Sequence, residues 1–220
     1  MNDDFRTPTR RRLLGFAAAM ALTATPLMAL QAIPAQAQAS EAAQRIADHF
    51  SNVRSMSGEF VQFGPRGEQT GGKFFLQRPG KIRFNYEAPS NFKVISDGKS
   101  VVILNSKMRT SDLYPLSKTP LKLLLDERID LTGNKVKSVT EEDDLTTIKL
   151  SDRQVFGNST ITMMFDPKTY ELRQWTITDA QGKDTTVMVF NVKQGGSFAA
   201  DTFKIDYKLN RELNAQKKND

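Results

Sequence analysis

Between Gly58 and Val192 the chain is a succession of short segments in which apolar and polar residues alternate, divided by turn sequences, and this pattern leaves few ways to fold. Ile82, Phe84 and Tyr86 fall on one side of such a segment while Lys81, Arg83 and Asn85 fall on the other. That is the period-two spacing of a half-buried β-strand. Similar segments are GEFVQF, GKFFLQ, FKVIS and, beyond an Asp97-Gly98 hairpin turn, SVVILN. After an interruption come KVKSV, LTTIKL, STITMMF, LRQWTIT and TTVMVFNV. The spacing predicts about ten or eleven antiparallel strands, more than a compact flat sheet accommodates without curling. Each strand has one apolar face, and something must cover it.

Few helices are available for that task. Ser40 followed by EAAQRIADHFSNVRS reads as an N-capped amphipathic helix, with Ala43, Ile46, Ala47, Phe50 and Val53 at i, i+3, i+4, i+7 spacing and Glu41 near the positive end of the helix dipole. The interruption between the two strand runs holds a second, SKTPLKLLLDERID, with Thr119 as N-cap and Pro120 at the first helical position. Leu121, Leu124 and Leu125 share one face and Leu123 widens it, so this short helix exposes little that is polar. It reads either as a plug in the end of a barrel or as a lid over an apolar cavity.

Residues 1–39 read as an export signal: Arg10, Arg11 and Arg12 precede a short apolar stretch interrupted by Thr and Pro, and PAQAQAS supplies small-residue cleavage sites. The arginines suit either a twin-arginine or a general secretory route, and the mature chain is expected to begin near Gln38 or Ser40 in the periplasm. No cysteine follows the cleavage site, so the protein is not expected to be a lipoprotein itself. Residues 40–220 have the length of a single domain, with 209–220 a polar C-terminal tail. The chain has no cysteine and one histidine, which removes disulfides, thiolate chemistry and zinc-ribbon sites. His49 sits beside Phe50 with no second histidine, and reads as a surface or helix-packing residue. The serines lack both a G-x-S-x-G context and a histidine partner, and Glu141 to Asp144 read as a solvated turn. The net charge of +6 is too dispersed for nucleic acid. The residues thus point to a binding or interaction domain with no catalytic residue, no metal and no cofactor.

The stretch GGKFFLQRPGKIRFNYEAPSNFKVISDGKSVVILNSK, followed at a distance by TPLKLLL, resembles the LolA family of periplasmic outer-membrane lipoprotein carriers. The likeness lies in the order of its parts: a Gly-rich strand, Arg-Pro, a strand of alternating aromatics, a Pro, an Asp-Gly hairpin, and a Thr-Pro opening a leucine-rich helix. It runs from the first helix to about Phe203. The chain departs from the pattern in having one tryptophan, Trp175, and no Pro-Gly turn in FKIDYKLNRELNAQKKND. The resemblance implies a mainly β (α+β) fold, an incomplete antiparallel β-barrel enclosing a hydrophobic cavity under a helical lid. It implies a monomeric carrier, without nucleic acid, that takes acylated lipoproteins from an ATP-driven inner-membrane extraction complex and passes them to the outer membrane, to an acceptor where one exists. By the same likeness Arg78 bonds to the lid and holds it shut with Leu121, Leu124 and Leu125, although by itself Arg78 is also an ordinary strand-end arginine. Phe74, Leu76, Ile82, Phe84, Tyr86, Val94, Ile103, Met163 and Phe165 then line a face that packs against acyl chains when loaded and against the lid leucines when empty. The alternative is a periplasmic sensor of lipid or envelope stress that uses the same half-barrel.

Overall fold

The computed structural model describes residues 40–131 and 135–216. The expected export signal and cleavage site lie outside the described residues, as do residues 217–220 of the expected tail.

Eleven strands form one antiparallel sheet in the order β6-β5-β4-β3-β2-β1-β11-β10-β9-β8-β7. The first run is β1 (Ser55–Phe63), β2 (Gln69–Gln77), β3 (Lys81–Tyr86), β4 (Phe92–Asp97), β5 (Ser100–Asn105) and β6 (Thr110–Pro115). The second is β7 (Val136–Glu141), β8 (Thr146–Leu150), β9 (Thr160–Phe165), β10 (Leu172–Thr178) and β11 (Asp184–Gln194). Two meanders are joined where β11 pairs with β1, with Phe60 opposite Val189. β6 and β7 are edges that do not pair with each other, so the barrel is incomplete. Sequence pattern misses β6 (TSDLYP), which has little apolar alternation and ends in proline. A proline is tolerated there because the strand is an edge, with Pro115 opposite Ser100.

Register puts one apolar set on the concave face. Leu76 pairs with Ile82 and Phe74 with Phe84, and Val94 lies between Phe84 and Ile103. On the other half Ile148 pairs with Met163, and Met163 with Trp175. Phe60 and Tyr86 flank Gly72 on this face. A Cβ on Gly72 would lie 2.0 Å from the Asn85 carbonyl oxygen. Without one, the Phe60 and Tyr86 rings meet edge to face at 5.0 Å across the gap.

α1 (Glu41–Asn52) begins as expected, the Ser40 hydroxyl accepting from the Ala43 amide at 3.0 Å, and buries Ala43, Ile46, Ala47 and Phe50. Its Phe50 ring meets Phe165 edge to face at 5.3 Å. α2 (Leu121–Leu125) lies in the connection between the two edges. Its start differs from expectation: Pro120 holds the N-cap position, and Thr119 instead closes a preceding 3-10 turn, Leu116–Lys118, its hydroxyl donating to the Leu116 carbonyl at 3.0 Å. Two further helices are α3 (Arg153–Phe156) and α4 (Tyr207–Gln216). The segment read as a polar tail therefore begins inside a helix, and α4 packs against β6. The convex face beside it holds a small second core of Ile95, Val102 and Ile205. Among the described residues no helix is long and apolar enough to cross a membrane.

Candidate functional site

The turn Arg78-Pro79-Gly80 between β2 and β3 meets the C-terminal end of α2. A helix end leaves carbonyls without intrahelical partners, and here the turn supplies them. Arg78 Nη1 donates to the Leu124 carbonyl at 2.6 Å and to the Asp126 carbonyl at 2.7 Å, and the Gly80 amide donates to the Leu125 carbonyl at 2.8 Å. The turn is itself fixed. The Arg78 amide donates to the Arg54 carbonyl at 2.8 Å, and the Ser96 hydroxyl donates to the Gly80 carbonyl at 2.7 Å. Gly80, at φ +78°, admits no side chain, since a Cβ would stand 2.8 Å from Gly98 Cα.

Arg78 is 5% exposed, and its guanidinium carbon stands 4.5 Å from the centre of the Phe50 ring, a cation–π contact with α1. Burial pushes its pKa down to about 10, with Asp126 opposing the shift and Arg54 adding to it, so the side chain is a cation at neutral pH. Its Nε and Nη2 are buried without a hydrogen-bond partner among the described residues. Nη1 makes two charge-assisted bonds to the helix end.

The segment after α2 is tied to α1. The Ile129 amide donates to the Ser51 hydroxyl at 2.9 Å, and that hydroxyl donates to the Ala47 carbonyl at 2.6 Å. Arg128–Asp48 and Arg54–Glu127 ion pairs at 3.0 and 3.2 Å lie outside this relay. They are exposed and contribute at most about 1 kcal/mol each. Sequence pattern offers one signal for the inner tie, a serine on the apolar face of α1, and none for the Leu124, Leu125 and Asp126 carbonyls as partners of the turn.

All four α2 leucines are buried, Leu124 and Leu125 completely. They share one continuous core with Phe74, Leu76, Ile82, Phe84, Met163 and Phe165, against which Tyr86 and Val94 pack partly buried. Ile103 lies on the same face by register, half-buried beside Val94. The structure therefore brings the whole set of sequence-named residues to one concave surface. At the Arg78 end that surface is filled by α1 and α2, so what it encloses here is core. Burial slackens toward Tyr86, Val94, Ile103 and the 44% exposed Phe92 at the opposite end.

Tyr86 marks that looser end. Its hydroxyl donates to Gln62 Oε1 at 2.7 Å, and burial raises its pKa to about 12. Because the neutral phenol is favoured in the folded protein, its contribution is fully present below about pH 10 and is lost as pH rises to about 12. That difference corresponds to roughly 2–3 kcal/mol. Tyr86→Phe is expected to flatten the fall of stability between about pH 10 and 12 by that amount. Denaturant midpoints measured across the range for both proteins check this, and parallel curves would contradict it.

The chain matches the family model described as outer membrane lipoprotein carrier protein LolA over residues 51–206. It is 28% identical over 188 residues to the outer-membrane lipoprotein carrier protein of Chromohalobacter salexigens, covering 80% of this chain and 88% of that one. To the protein of the same name from Chromobacterium violaceum it is 27% identical over 191 residues, covering 83% and 90%. Among solved structures it is similar to a LolA superfamily protein from Nitrosomonas europaea at a TM-score of 0.41 and 9% identity, covering 74% of this chain and 98% of that one.

Proposed function

The chain belongs to the LolA family, and from that premise we propose that it is a periplasmic carrier that shields the acyl chains of lipoproteins between the inner and the outer membrane. The observation that carries this reading is the concave apolar surface covered at one end by a short helix whose C-terminal carbonyls are held by one buried arginine and the Gly80 amide. Such a helix can be displaced by a competing apolar ligand. The partners that fit are an ATP-driven inner-membrane complex that surrenders the lipoprotein, and an outer-membrane acceptor or the membrane itself.

Magnitudes explain why a carrier needs the lid. Moving three acyl chains of roughly 45 methylenes out of water is worth about 35 kcal/mol, beyond the practical ceiling near 20 for noncovalent binding. A carrier that realised this would never release. Reburying four leucines returns roughly 1.5–3 kcal/mol each on closure, and that return subtracts from the affinity for cargo. Closure of the empty form thus drives delivery, while opening taxes loading.

Inner-membrane vesicles carrying labelled lipoprotein, given ATP and the extraction complex, are expected to release lipoprotein into a soluble one-to-one complex with this protein. Outer membranes added next should receive it. No release above a buffer control would overturn the carrier reading and leave the sensing alternative. A second expected outcome concerns the empty protein: an apolar fluorescent probe should bind saturably and be displaced on loading with lipoprotein. Displacement without prior saturable binding is impossible, so a flat titration would mean that the interior does not open.

A further inference from the structure

Beside α4, where β4 begins and β5 ends, lies a cleft of about 470 Å³, a size common for small-molecule sites. Its apolar lining includes Phe92, Leu104, Leu209 and Leu213, and its charged lining residues are Lys93 and Arg109, with no acid among them. The helix that borders it docks in an unusual way. The buried Asn210 side chain donates to Ser111 Oγ at 2.6 Å, Asn214 Nδ2 donates to the Ser111 carbonyl at 3.0 Å, and the Tyr207 hydroxyl donates to Asp97 Oδ2 at 2.7 Å. Positions 207, 210 and 214 share one helix face, so polar bonds occupy the face turned to the sheet. Leu209 and Leu213, one turn apart on the flank, border the cleft and belong to neither apolar core. Leu209 remains 38% exposed and Phe92 44%. The helix therefore leaves its apolar burial unused unless something fills the gap.

The cations are equally uncommitted. Among the described residues neither Lys93 nor Arg109 has an acidic partner within 4.0 Å, and Arg109 touches only Gln216 Oε1, at 3.4 Å. Arg109 also holds φ +51°, at a hairpin position where glycine or asparagine would sit with less strain. We propose that this cleft binds a single-chain anionic amphiphile, a long-chain fatty acid in its simplest form. The chain runs along Phe92, Leu104, Leu209 and Leu213, and the carboxylate lies between Lys93 and Arg109. Ester- or amide-linked acyl chains end in no anion and make no use of these cations, so the cation pair and α4, and not the Tyr86 and Phe92 edge that the cleft shares with the concave face, set this site apart.

The test uses the full mature chain. A palmitate analogue with a photoreactive group near its chain end is expected to label the peptide containing Leu209–Leu213, which lies outside the concave face. In calorimetry, Lys93→Gln with Arg109→Gln should weaken palmitate binding at least about tenfold and leave hexadecanol binding and thermal stability unchanged. Leu209→Asp should abolish the labelling of α4. Labelling confined to concave-face peptides around Phe84 and Met163 would overturn this site while leaving the carrier reading intact. Palmitate affinity unchanged in the double variant would overturn it as well.

Discussion

Replacing Arg78 by leucine is expected to give a protein that still accepts lipoprotein from inner-membrane vesicles and delivers little of it. The guanidinium supplies two bonds to the Leu124 and Asp126 carbonyls, and a bond to a charged group is worth about 1.5–3 kcal/mol. Two terms compete. Removing a buried cation with two unpartnered nitrogens relieves a penalty, but it also leaves the two carbonyls without their donor. The net bias toward the open lid is set at about 1.5–3 kcal/mol, a shift of roughly 10- to 150-fold in the open-to-closed ratio. Loading becomes easier and release harder, because the closed empty form that drives release has lost stability. Arg78→Lys should be milder, since one ammonium keeps the charge without the planar fork. The check is the fraction of bound lipoprotein passed to outer membranes. Wild-type transfer by Arg78→Leu would remove the arginine from the mechanism and leave closure to the leucines.

The second large effect is on the leucines themselves. Leu124 is fully buried in the same core as the concave face, and truncating such a side chain costs about 2–5 kcal/mol. Leu124→Ala should therefore lower the melting temperature of the empty protein by roughly 5–20 °C. The proposed mechanism displaces the helix in the loaded protein, so there the same substitution should cost much less. Paired thermal scans of empty and loaded protein, for wild type and variant, measure the difference. An equal loss in both states would mean that α2 stays in the core when cargo is bound.

Much of this arrangement can be read in the sequence because it is periodic. Ile82, Phe84 and Tyr86 alternate with charged or polar residues, and period-two alternation assigns a face before any partner is known. The capped α1 is legible for the same reason, its apolar spacing and its Ser40 cap pointing to one helix. β6 is hidden because an edge strand under a polar helix has no alternation to display. Its Ser111 faces Asn210 and Asn214 rather than a core. α4 is hidden because it docks through those asparagines, leaving too few apolar positions for a helical stripe. The arginine at position 78 carries no local mark of its role. Its partners are backbone carbonyls about 46 residues away along the chain, and a carbonyl has no sequence signature. The resemblance to a family pointed to it, whereas alternation and spacing did not.

The central claim is that α2 and lipoprotein acyl chains take turns on one concave face, and the Gly80 amide reports on this directly. In the closed form it donates to the Leu125 carbonyl at 2.8 Å, which protects it from exchange with solvent. Hydrogen exchange at Gly80 and along Leu121–Leu125 should be slow in the empty protein and faster by about tenfold or more when lipoprotein is bound. Unchanged protection at Gly80 and Leu125 in a fully loaded complex would show the lid still in place, and would contradict the account.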